Sequence, residues 1–134
     1  MPEGVARFIA GALVVIHAGL GAWALIGFAE FFLPTVPWTK LSNPLFSRTL
    51  LFLQWSLIAI AASVFIAGYL NRWRRTPVAM LFIYGAMAAL CAYQTFNVLT
   101  HDARFRQMAV EYIEYALILV FLFGSSTMQK HFGR

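Results

Sequence analysis

The stretch TPVAMLFIYGAMAALCAYQTFNVLT, residues 76–100, carries no charged side chain from end to end. An α-helix rises about 1.5 Å per residue, so roughly 20 residues cross a hydrocarbon layer about 30 Å thick. This run is long enough to do so. Residues 8–29 and 49–71 form two more runs of comparable length and the same lack of charge. Residues 108–126 make a fourth, but Glu111 and Glu114 lie inside it. Helices are expected rather than barrel strands, because barrel strands are about 10 residues long and alternate in polarity.

Composition agrees with this reading. The 134 residues are 61% hydrophobic and 11% charged, against about 25% charged in a soluble domain. The expected fold is therefore an all-α integral membrane protein, a single domain over residues 1–134. Four transmembrane helices, at about 5–28, 49–70, 77–99 and 108–126, are expected to form an antiparallel bundle. The first loop, residues 30–48, is long and holds Pro34, Pro37 and Pro44, so it is not one regular helix. Trp38 in that loop suits an interfacial anchor. Pro77 suits the first turn of the third helix, where its missing N–H costs nothing. The first apolar run is too long for a signal peptide and lacks a clean cleavage site, so it is expected to stay in the protein. Small residues along it, Gly11, Ala18, Gly19 and Ala22, permit close helix approach.

The net charge of +5 is spread over loops rather than gathered in one patch, which argues against nucleic acid and for basic membrane flanks. Arg7, Arg72, Arg74, Arg75, Lys130 and Arg134 fall on one side of the expected bundle. Lys40, Arg48, Arg104 and Arg106 fall on the other. The bias places both termini in the cytoplasm, and the expected location is a bacterial inner membrane.

Four of the five acids gather at the opposite end: Glu30, Asp102, Glu111 and Glu114. A carboxylate at membrane depth is costly, so an intramembrane Glu marks a candidate site. Gln107, Glu111 and Glu114 are spaced i, i+4, i+7 and share a helical face. Gln94, Asn97 and His101 are spaced i, i+3, i+7 and share another. These six residues make the candidate polar pocket. Glu111 and Glu114 would serve there as proton carriers or cation ligands. A structural reading competes: Lys40, Arg48, Arg104 or Arg106 would pair with the acids, and Gln94 and Asn97 would bond between helices. His17, near the middle of the first span, is a candidate cofactor ligand or proton relay, or a neutral imidazole bonded across the bundle.

No catalytic residue is expected. Cys91 is the sole cysteine, which excludes an internal disulfide and a CxxC pair. No two of His17, Cys91, His101 and His131 have zinc-ligand spacing. GxSxG, P-loop and GxGxxG signatures are missing. Thirteen phenylalanines would suit a lipophilic ligand such as a quinone, a sterol or a pigment, and equally a lipid-facing surface.

Three short stretches carry a resemblance: Arg7-Phe8-Ile9-Ala10-Gly11, Ala67-Gly68-Tyr69-Leu70 before the arginine turn, and residues 111–124. With the four-span layout, they resemble the DoxX-like small bacterial membrane proteins. Members of that group are similar to membrane subunits of thiosulfate:quinone oxidoreductase or to partners in redox assemblies. The three prolines depart from that group's compact first loop. The expected function is a small non-catalytic membrane subunit packed against other membrane proteins in the bilayer, in an electron-transfer or quinone-linked complex. A quinone or other lipophilic molecule is the expected cofactor class. A proton- or ion-coupled transport module and a membrane enzyme subunit acting on a lipophilic substrate are the alternatives.

Overall fold

A computed structural model describes residues 1–33 and 45–133. The three prolines of the first loop, with Trp38 and Lys40, lie outside the described residues. The described residues form five helices: α1 Glu3–Phe32, α2 Arg48–Leu70, α3 Thr76–Asn97, α4 Arg104–Gly124 and α5 Ser126–His131. The first four are long and apolar enough to cross a membrane.

Local chemistry sets the helix ends. The Ser47 hydroxyl accepts from the Leu50 N–H at 3.2 Å and caps α2. Pro77 sits in the first turn of α3. The Thr76 hydroxyl donates to the Trp73 carbonyl at 2.7 Å and fixes the tight α2–α3 turn. α1 outruns residues 5–28 at both ends. Arg7 pairs with Glu3 one turn away, and the Phe28, Phe31 and Phe32 rings pack together at the far end. Glu30 is thus a buried residue inside the helix rather than its terminator. At the other end of the chain, Ser125 is extended (ψ 124°) and divides α4 from α5.

Each long helix packs on its neighbour in the chain. Between α1 and α2, a Cβ on Gly27 would fall 2.2 Å from the Trp55 ring, and one on Gly21 would fall 3.3 Å from Ala62. Only glycine permits the first approach. The buried stripe of α1 is Ala6, Ala10, Leu13, His17, Ala24, Gly27 and Glu30. Gly11, Ala18, Gly19 and Ala22 are exposed instead. They are small, but they lie off this stripe, so they do not make the contact with α2.

Between α2 and α3, Gln94 donates to Gln54 at 3.1 Å. Between α3 and α4, Tyr84 stacks on Tyr115 at 4.9 Å, Tyr112 donates to the Ala88 carbonyl at 2.8 Å, and Phe96 meets Phe105 at 5.4 Å. Among the described residues, the α4 backbone makes no close approach to α1 or α2. α5 bridges that gap at one end by packing on both α4 and α1. There His131 donates to the Tyr69 carbonyl at 2.7 Å and stacks on the Tyr69 ring at 4.2 Å, and Phe132 is fully buried.

The buried side chains form two clusters. The larger joins Ala6, Ala10 and Leu13 to Phe65, Met80, Tyr84, Leu122, Met128 and Phe132. The smaller is Ala24, Trp55 and Ile58. The space left between the smaller cluster and α4 is where the polar residues collect.

Candidate functional site

The site begins at His17, 1% exposed and on the buried stripe of α1. Its Nδ1 lies 2.7 Å from the Leu13 carbonyl, one helical turn back. A carbonyl only accepts, so Nδ1 carries a proton and donates. Nε2 lies 2.5 Å from the Tyr84 hydroxyl on α3. In a neutral imidazole, Nε2 is then the acceptor and Tyr84 the donor. The ring also stacks on Phe65 of α2 at 4.1 Å. Three helices thus fix its position and tautomer together.

From this point a cavity of about 440 Å³ runs between the four long helices toward the end that holds His101 and Arg104. Its inner part is walled by His17, Ala61 and Tyr84, and Trp23, Leu20, Ile58 and Met87 form its apolar sides. The Gln54–Gln94 amide pair lines it further along. On α4, the half-buried Glu111 carboxylate lies against the Cys91 thiol and the Tyr115 hydroxyl. Apolar walls with a few convergent polar groups are the usual make-up of a small-molecule site.

Of the six residues expected to form a polar pocket, Gln94, His101, Gln107, Glu111 and Glu114 line this cavity. Asn97 does not. Its side chain donates back to the Tyr93 carbonyl of its own helix at 3.2 Å. Glu114 is exposed and, among the described residues, makes no hydrogen bond or ion pair. A second, shallower hollow of about 270 Å³ on α4 is lined by Arg106, Gln107, Val110, Glu111 and Glu114.

Of the basic residues named as structural partners, Arg104 and Arg48 make other contacts, Arg106 lines the second hollow beside Glu111 and Glu114, and Lys40 lies outside the described residues. Arg104 donates to the Thr100 and His101 carbonyls, at 3.3 and 2.9 Å, and lies over the Phe105 ring. Arg48 lies over the Phe31 ring at 4.1 Å. Gln94 does bond between helices, but to Gln54. Among the described residues, no group of three His, Cys, Asp or Glu side chains is placed to hold a metal ion.

Sequence reasoning missed Tyr84. Its signal was present: a hydroxyl in the middle of an uncharged span needs a partner, and His17 is the polar residue at the middle of another span. Cys91, the sole cysteine, sets its thiol against Glu111.

The arrangement can seat a flat, lipophilic molecule against aromatic rings and meet its polar atoms with Tyr84, the two glutamines or Glu111. No family model, curated protein or solved structure matches the chain.

Proposed function

We propose that this chain is a membrane-embedded binding subunit that holds a lipophilic, ring-bearing small molecule in the cavity between its four long helices. The quinone class is the leading candidate. In this reading the helices form an antiparallel bundle in a bacterial inner membrane, with both termini cytoplasmic and the cavity opening toward the opposite side. Contact pairs support the antiparallel order. Along α3 and α4 the partners run in opposite senses, with Tyr84 on Tyr115, Tyr112 on Ala88 and Phe96 against Phe105. The DoxX-like layout and the subunit role belong to the same proposal. α4 has only α3 and α5 as helical neighbours among the described residues, which leaves most of it for lipid or for another subunit.

The observation that carries this reading is the cavity itself, about 440 Å³, with apolar walls and with His17 and Tyr84 bonded to each other at its inner end. The test is extraction from the native membrane in a polymer disc that keeps the local lipid, followed by mass spectrometry of bound lipids and proteins. The expected result is a prenylated ring compound near equal stoichiometry with the chain, together with at least one other membrane protein. Met87→Trp, which fills the cavity, is expected to remove the ring compound and leave the partner protein. Recovery of the chain alone, with neither, would sink the proposal.

A proton-transfer reading rests on a separate observation, the contacts linking Glu111, Tyr115, Tyr84 and His17. The line stops at the Leu13 carbonyl, which accepts the Nδ1 proton and has none to pass on. Such a path serves the cavity from one side and does not cross the membrane. Glu111→Gln would slow a ligand-linked proton uptake measured with a pH dye. Unchanged uptake would remove this reading.

A further inference from the structure

We infer that the inner end of the cavity selects a ring hydroxyl over a ring carbonyl or ether, because the polar atom it offers is a hydrogen-bond acceptor. This rests on the reading of the cavity as a ligand site and adds which chemistry is preferred there.

The argument is an inventory of protons. His17 has one N–H when neutral, and the Leu13 carbonyl takes it, at 2.7 Å. Nε2 is left as an acceptor, and the Tyr84 hydroxyl, 2.5 Å away, is the donor it meets. Tyrosine has a single O–H. Once that proton is committed to His17, Tyr84 keeps only lone pairs. Tyr84 and His17 both line the cavity, so a ligand reaching its inner end meets an oxygen that accepts and does not donate. A ring hydroxyl satisfies it. A quinone carbonyl or an aryl ether brings a second acceptor, and two buried acceptors facing each other leave both unpaired. The flanking stacks, His17 on Phe65 and Tyr84 on Tyr115, present flat faces that suit a ring. Sites built around one hydrogen-bond sense reject the mismatched analogue far more strongly than sites built on shape alone. The chemistry named is a ring hydroxyl, whether it comes from a quinol, a simple phenol or a sterol.

The test compares three probes on the full chain in nanodiscs: 1-naphthol, 1-methoxynaphthalene and 2,3-dimethyl-1,4-naphthoquinone, whose methyl groups block addition of the Cys91 thiol that lines the cavity. Equilibrium dialysis against empty nanodiscs removes the contribution of lipid partitioning. 1-Naphthol is expected to bind at least tenfold more tightly than either of the others. The double variant His17→Leu with Tyr84→Phe removes both the Tyr84 oxygen and the Nε2 acceptor behind it, and is expected to bring the three within about twofold of one another. His17→Leu releases the Tyr84 proton, so the methoxy and quinone probes should gain relative to naphthol. A merely structural role for His17 would weaken all three alike.

Equal binding of naphthol and its methyl ether by the wild-type chain would overturn the inference while leaving the cavity reading standing. So would discrimination that survives in the double variant. Failure of all three probes to bind would overturn both. The wild-type comparison needs no variant to fold. Cholesterol and its methyl ether, run in the same way, show whether a sterol rather than a quinol or phenol is the source.

Discussion

The seam between α1 and α2 and the exposed side of α4 are built on opposite principles. The seam is made by shape. Gly27 admits the Trp55 ring, Gly21 sits against Ala62, and Trp55 is fully buried. Of the most apolar part of α2, 28% is buried within the protein, against 11% for α4. α4 instead touches the rest through a few side chains, chiefly Tyr112, Tyr115, Phe121 and Leu122. It also carries Glu111 and Glu114. Lipid tails are as apolar as leucine, so association in a membrane depends on close packing and on hydrogen bonds between helices. The first two helices use packing. The fourth uses ring contacts, the Phe121 and Leu122 side chains and the Tyr112 hydrogen bond, and leaves a cavity behind it.

The sharpest way to break the comparison is to spoil the seam. Gly27→Ala puts a methyl where the Trp55 ring lies, and the ring has no free space to enter. Overpacking costs about 1–3 kcal/mol, and alanine returns part of that through better helix propensity. A net loss of about 2 kcal/mol is expected, measured as reversible unfolding in mixed micelles. In a Trp55→Leu background the same substitution should cost little, because residues in contact do not behave additively. Equal costs in both backgrounds would mean that the seam is not set by this contact.

The second prediction turns to α4. Glu114 is exposed and, among the described residues, has no hydrogen-bond or ion-pair partner. Charged residues at the centre of a membrane helix cost about 2.5–3.5 kcal/mol to insert, and less toward its ends. Glu114→Leu should therefore favour insertion of this segment by about 1–2 kcal/mol in a glycosylation-mapping assay. No gain would mean that Glu114 faces water or a partner rather than lipid.

The two regions also differ in how much the sequence revealed. Three of the long helices were legible because charge-free runs above the length of a bilayer have few alternative structures, and the fourth because its run is nearly as long despite Glu111 and Glu114. The pocket face of α4 was legible too, since Gln107, Glu111 and Glu114 repeat at helical spacing. Phase was harder. Gly11 and Gly19 resemble contact residues as much as Gly21 and Gly27 do, and α1 is so uniformly apolar that hydropathy does not mark its buried stripe. Only the positions of Ala6, Ala10, His17 and Ala24 in three dimensions reveal it. The His17–Tyr84 bond was illegible for a related reason. It joins residues 67 positions apart, and neither one's spacing points to the other. Asn97 shares a helical face with Gln94, yet it turned to its own backbone, because a side chain near a helix end has a free choice between local and distant partners.

The third prediction concerns the end where, among the described residues, α5 packs on both α4 and α1. His131→Ala removes a hydrogen bond to the Tyr69 carbonyl and a ring stack. A loss of about 1 kcal/mol is expected, read as faster amide exchange in α5 than in α2. If α5 exchange stayed unchanged, the buried Phe132 alone would be holding that end closed.

The smallest effect belongs to the α3–α4 contact itself. Tyr112→Phe deletes the hydroxyl that donates to the Ala88 carbonyl at 2.8 Å and leaves the ring in place. Hydrogen bonds between membrane helices average about 0.6 kcal/mol, because the separated helices find other partners. Ala88 lies within α3, so its carbonyl keeps its bond along the helix when the tyrosine proton is gone. A loss near 0.6 kcal/mol would place α4 among loosely held helices, consistent with a cavity that opens by a small displacement of α4. A loss above about 2 kcal/mol would mean that α4 is held as firmly as the glycine seam holds α1. The contrast between a shape-built seam and a hydrogen-bonded cavity wall would then collapse. Run beside Gly27→Ala under the same conditions, the pair separates these outcomes without any knowledge of the ligand.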